Sequence, residues 1–117
     1  MPDEMRDKEI LTIILEWCQQ VEEALKMFNR SYESFLSISV YRNAVSMCME
    51  QIGEMSKRLS DGFKNNHQEL QWPEIKGMRE HFAHDYSNMN QFIIWETSIS
   101  DVPILEKFCK EQIASDS

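Results

Sequence analysis

Nine consecutive residues, Met78-Arg79-Glu80-His81-Phe82-Ala83-His84-Asp85-Tyr86, bring together a permanent cation, a near-neutral base and a phenol. Arg79 carries a rigid fork of donors that matches phosphate oxygens and never loses its charge. His84 carries an imidazole, whose ordinary pKa of about 6.5 lets it take or give a proton at neutral pH. Cleavage of RNA by attack of its own 2'-hydroxyl needs those two functions, a base for the hydroxyl and a cation for the charge that develops on phosphorus. The chemistry does not demand a metal. The three His and many carboxylates show no HExxH, Cys/His or Asp-rich ligand spacing, so neither a metal nor a cofactor is expected.

Spacing alone argues less. On a straight helix, positions five apart lie roughly 140° apart around the axis. Arg79 and His84 of one chain therefore converge only through the long Arg side chain, or if the helix ends near Ala83. A two-fold dimer offers another route, because it brings two copies of the segment to one cleft. On an anonymous helix, an Arg and a His are usually a surface cation and a solvated or satisfied imidazole. Tyr86 near a helix end is likewise more often a packing residue. His67 and His81 are expected to be solvated, and Trp17, Trp72 and Trp95 to pack rather than stack on bases.

The elements that must carry the segment are helical. Ile10, Ile14, Trp17, Val21, Leu25 and Phe28 recur at steps of three and four, which predicts a helix from about Asp7 to Asn29. Ser31 is a candidate N-cap with Glu33 in the first turn that follows. A longer second helix has the heptad-like seam Tyr41, Val45, Cys48, Ile52, Met55 and Leu59, suited to packing beside near-antiparallel neighbours. Gly53 inside it points to close approach of another helix, from the same chain or a second subunit. Glu54 and Arg58 are spaced for a helical ion pair. Ser60-Asp61-Gly62 ends or kinks the helix, and Asn65-Asn66-His67 falls in a polar connector. A third helix begins at Pro73, carries Ile75, Met78 and Phe82 inward, and runs into the motif. A short fourth spans about Met89 to Thr97. Ser100-Asp101 caps a fifth, with Pro103 in its first turn and Ile104, Leu105, Phe108 and Ile113 facing the core. The expected fold is all-α, one up-and-down bundle of about four to five helices over residues 1–117.

Composition agrees and adds one constraint. Three Gly and three Pro in 117 residues leave little room for disorder or tight β-turns. The charged start, Met1 to Lys8, offers no apolar signal region, and no apolar run approaches a membrane span. Cys18, Cys48 and Cys109 fall on apolar stripes, which implies buried reduced thiols and a cytoplasmic compartment. The net charge of −8 argues against nucleic-acid binding over the whole surface, so an RNA-active site must be a local basic cleft.

Arg-x4-His-x-Tyr resembles the catalytic motif of HepT-like toxins of the HEPN superfamily, small helical ribonucleases. The likeness extends to Arg42-Asn43-Ala44-Val45 and Ile52-Gly53-Glu54-Met55-Ser56-Lys57-Arg58-Leu59 on the long helix. It continues through Trp72-Pro73-Glu74-Ile75-Lys76-Gly77-Met78-Arg79, Trp95-Glu96 and Asp101-Val102-Pro103, covering about Phe35 to Ile113 in the family order. The resemblance implies a homodimeric bundle whose Arg and His line an RNase cleft. It implies a toxin paired with a minimal nucleotidyltransferase antitoxin that uses ATP to transfer AMP to the motif tyrosine. Arg79 and His84 would then be catalytic, Tyr86 the modified residue and Glu54 a support that orients Arg79. Glu80 stands where the family most often has Asn or Asp, and this longer acid beside the Arg counts against full catalytic strength. The rival reading is a non-catalytic HEPN module that docks a nucleotidyltransferase or holds a nucleotide.

Overall fold

A computed structural model describes residues 3–77 and 91–115 of the chain. The expectations placed on Arg79, Glu80, His81, His84 and Tyr86 fall outside the described residues. Those that are described form an all-α bundle with no strand among them.

Helix α1 spans Asp3–Met27. Its core face is Ile10, Leu11, Ile14, Cys18, Val21, Ala24 and Leu25. Leu11 and Cys18 therefore belong to the seam that the sequence drew through Trp17 and Phe28, which pack only at its margin. The helix closes with a Schellman motif: Arg30 N–H donates to Leu25 O at 2.8 Å and Asn29 N–H to Lys26 O at 3.1 Å. Both Asn29 and Arg30 take positive φ, 56° and 54°, and the Arg30 guanidinium pairs with Glu22 one helical stretch back.

The chain from Ser31 divides into two helices, α2 (Tyr32–Ser37) and α3 (Ser39–Ser56). Ser31 caps α2 as expected, its Oγ accepting from Ser34 N–H at 3.0 Å. Extended backbone at Ile38 (φ −110°, ψ 103°) separates the two. Arg42 bridges the break, donating to Phe35 O at 3.0 Å and Leu36 O at 2.6 Å, which satisfies carbonyls the end of α2 leaves open. The predicted seam of α3 is buried, Tyr41 through Met55, together with Gly53. Leu59 is buried as well, but from the turn beyond the helix.

Ser60 starts a helix rather than only ending one. Its Oγ accepts from Phe63 N–H at 3.1 Å, capping α4 (Asp61–Asn66) inside the stretch expected to be a polar connector. The same serine donates through its backbone N–H and its hydroxyl to the buried Asp7 carboxylate, at 2.8 and 2.6 Å. Arg6 donates to Arg58 O, and Lys8 Nζ to Ile113 O. The start of α1 thus lies beside the end of α3 and the end of the last helix, so α1 runs antiparallel to both.

Helix α5 is helical over 72–77, α6 is Gln91–Glu96, a π-helical turn covers Thr97–Asp101, and α7 is Val102–Ala114. The expected cap at Ser100-Asp101 is not formed. Asp101 is itself in the right-handed helical region and makes no side-chain capping bond, because the π turn carries α6 straight into α7. Val102, Leu105, Phe108 and Cys109 point inward, whereas Ile104, expected in the core, is 59% exposed on the adjoining face. One core joins α1, α3 and α7, with the short helices closing its ends.

Candidate active site

Two aromatic anchors hold the helices on either side of the motif. On the entry side, Trp72 is buried and its indole N–H donates to His67 O at 2.9 Å. Its ring lies 6.1 Å from Phe63 and 5.9 Å from Phe108. His67 is part of this cluster and not a solvated side chain. Its ring sits 4.5 Å from Phe63 and 5.4 Å from Phe108, with Nδ1 3.6 Å from the Glu69 carboxylate. Tilted and edge contacts of this kind fix orientation as well as burying area. Ile75, the next inward position of α5, is buried too.

On the exit side, Ile94 and Trp95 of α6 are buried. Trp95 sits against Phe35, Tyr32 and Tyr41 at 5.6, 5.7 and 6.5 Å, and Tyr41 stacks on Phe28 at 4.4 Å. Ser98, fully buried in the π turn, donates to Trp95 O at 2.7 Å. Both Trp residues thus pack, as the sequence implied. Arg79 follows in sequence two residues after the end of the described part of α5, the helix that Trp72 holds on α7 and α4.

Glu54 lies half-buried on α3, 3.8 Å from Lys57 Nζ and 3.7 Å from Arg58. The i,i+4 pair with Arg58 is the one its spacing predicted. Arg79, which Glu54 was expected to support, is outside the described residues.

Charge is unevenly placed. Residues 57–79 hold five of the twelve Lys and Arg (Lys57, Arg58, Lys64, Lys76, Arg79) against three acids (Asp61, Glu69, Glu74), a net of +2 in a chain of −8. A stretch of positive balance thus runs in sequence up to Arg79, with Lys57 and Arg58 within it paired to Glu54. Part of it lines a cavity of about 610 Å³ between α4, the 67–71 connector and α5. Sequence reasoning gave Lys64 and Lys76 no role; the positive balance of this stretch in an acidic chain was the signal available.

The thiols have no part in this region. Cys18, Cys48 and Cys109 are all free and buried. Desolvation raises each of them above the ordinary thiol value of 9.0, Cys48 to about 11 and Cys109 to about 12.

With helical frame, anchors and charge in place, the family model of HepT-like ribonucleases matches residues 14–112, a span that includes the whole Arg-x4-His-x-Tyr segment. The chain belongs to the HepT-like ribonuclease family. A candidate RNase of Caldanaerobacter subterraneus subsp. tengcongensis is 39% identical over 98 residues, covering 84% of this chain and 86% of that protein. A protein of Thermococcus cleftensis that carries the name ribonuclease HepT is 34% identical over 101 residues, 85% of this chain and 88% of its own. A further candidate RNase, from Methanocaldococcus jannaschii, is 29% identical over 100 residues, 86% of this chain and 81% of that protein. No solved structure matches. The ribonuclease class and the all-α fold expected from the sequence agree with the family.

Proposed function

We propose that this HepT-like chain is the toxin of a toxin–antitoxin pair, a homodimeric ribonuclease that cleaves RNA with Arg79 and His84. The observation that carries the reading is an unbroken Arg-x4-His-x-Tyr segment inside the span matched by the family model. His84 removes the proton of a ribose 2'-hydroxyl, and the oxygen attacks the adjacent phosphorus. Arg79 holds the phosphate and offsets the charge that builds on its oxygens. The P–O5' bond breaks, the leaving 5'-oxygen takes a proton, and the products end in a 2',3'-cyclic phosphate and a 5'-hydroxyl.

Exposed apolar side chains support a homodimer. Val40 and Met47, seven apart on one face of α3, are 70% and 47% exposed, and Phe92 and Ile93 of α6 are exposed as well. A second copy is the proposed occupant of these surfaces. It also answers the 140° problem, since cations and bases of two chains can meet across a two-fold axis.

Tyr86 is the proposed off-switch. A nucleotidyltransferase partner would transfer AMP from ATP to its hydroxyl, releasing pyrophosphate. The new phosphodiester carries a negative charge that can occupy the Arg79 fork in place of substrate. Intact-mass analysis after incubation with partner and ATP should show AMP on wild type and none on Tyr86→Phe, which keeps RNase activity. Modification elsewhere, or equal silencing of Tyr86→Phe by binding alone, would replace this switch with steric neutralisation.

The acidic net charge and Glu80 favour a second reading, a non-catalytic module that docks the nucleotidyltransferase. RNA left intact by a purified dimer that still binds the partner would select it.

A further inference from the structure

We propose that the polar groove between α4 and α5 is a binding subsite for a single-stranded stretch of RNA outside the bond that is cut. The proposal rests on the ribonuclease reading for its ligand class and adds the residues that would hold the strand. The groove, about 610 Å³, is lined by Asp61, Lys64, Asn65, Gln68, Gln71 and Lys76 among others. That volume lies in the range of cavities that hold a compact ligand group.

Its chemistry suits nucleotides. Lys64 and Lys76 have no ion-pair partner among the described residues, so both ammonium groups are free for phosphate. Asn65 and Gln71 each offer an amide with two donors and an acceptor, and Gln68, whose Nε2 already donates to Asn65 O at 3.1 Å, keeps one N–H and its oxygen, the functions that read unpaired base edges. Trp72 forms the floor. Its indole N–H is already given to His67 O and its ring is buried, so it shapes the groove without serving as an open stacking platform.

Location makes the case for RNA over an acidic protein. Lys76 lies on α5 and, in sequence, three residues before Arg79. Outside residues 57–79 the chain carries a net of −10. A polyanion is repelled there, and this concave, amide-rich patch is where it can settle.

The test is fluorescence anisotropy of the full chain with a fluorescein-labelled 2'-O-methyl oligonucleotide, which binds but has no free 2'-hydroxyl to attack. Wild type should bind, with affinity falling steeply as salt rises. Lys64→Ala with Lys76→Ala should weaken binding several-fold and flatten the slope of log K against log salt by about 1.4, the loss expected for two single-strand phosphate contacts. Lys64→Arg with Lys76→Arg, which keeps the charges, should retain the slope and controls for folding. An unchanged slope in the double Ala variant, or no binding by wild type, overturns the subsite. Binding without cleavage of ordinary RNA would instead sink the ribonuclease reading and leave the subsite standing.

Discussion

Asp7 joins the first helix to the turn that starts α4, and removing its carboxylate should be felt in stability. In Asp7→Ala the Ser60 N–H and hydroxyl lose acceptors at 2.8 and 2.6 Å at a residue that is only 5% exposed. Hydrogen bonds to a charged group contribute about 1.5–3 kcal/mol each. The carboxylate's own desolvation, which costs several kcal/mol, vanishes with it, so a net loss of about 2–3 kcal/mol is expected. Asp7→Asn keeps an oxygen for the Ser60 N–H and points an amide at an Oγ that can accept it. About 1 kcal/mol should be lost there, the size of one ordinary hydrogen bond. Urea unfolding followed by far-UV circular dichroism, at one fixed protein concentration, reads both variants. The midpoint should fall with the slope unchanged. A loss below about 0.5 kcal/mol for Asp7→Ala, the range of ordinary surface changes, would refute the reasoning, as would equal losses for the two substitutions.

Three further outcomes follow from the core. Tyr41 is fully buried among aromatic rings and its hydroxyl has no hydrogen-bond partner among the described residues, while an unsatisfied buried polar group costs about 1–3 kcal/mol. Tyr41→Phe should therefore unfold at the same or a higher urea concentration; a clear drop in midpoint would mean the hydroxyl is satisfied. The three thiols should resist iodoacetamide at pH 8 in the folded protein and react once urea exposes them. Because burial raises the folded thiols, the folded chain keeps protons that the unfolded chain releases above 9.0. The stability they contribute is intact below that pH and fades as pH rises from 9 towards 12. Alkaline urea midpoints should decline less in Cys48→Ala with Cys109→Ala than in wild type, relative to each protein's own value at pH 7, and equal declines would contradict the assignment.

The long helices were legible because burial repeats every three to four residues, and the α3 seam from Tyr41 to Met55 needed no tertiary information. What escaped was decided elsewhere in space. Helices α2 and α4 are too short to show a period, and α4 depends on Ser60 being held by an acid 53 residues away. His67 reads as polar in a polar connector, yet Phe63 and Phe108 enclose it from two other elements. The π turn shifts the helical phase just before Ile104, so a capped restart at Ser100-Asp101 was the wrong picture. For the site, residue types and spacing were legible while convergence was not, since a linear interval of five does not bring Arg79 to His84. The groove at Lys64 and Lys76 was hidden for the same reason: its walls come from α4, the connector and α5 together.

The most direct test of the account is cleavage of labelled RNA by purified wild type, Arg79→Ala and His84→Ala, with and without EDTA. Wild type should yield 2',3'-cyclic phosphate ends in both conditions. Either substitution should slow cleavage by on the order of 10² or more, the scale of a positioned acid or base. Cleavage by His84→Ala at the wild-type rate would contradict the central claim and place the activity at another site.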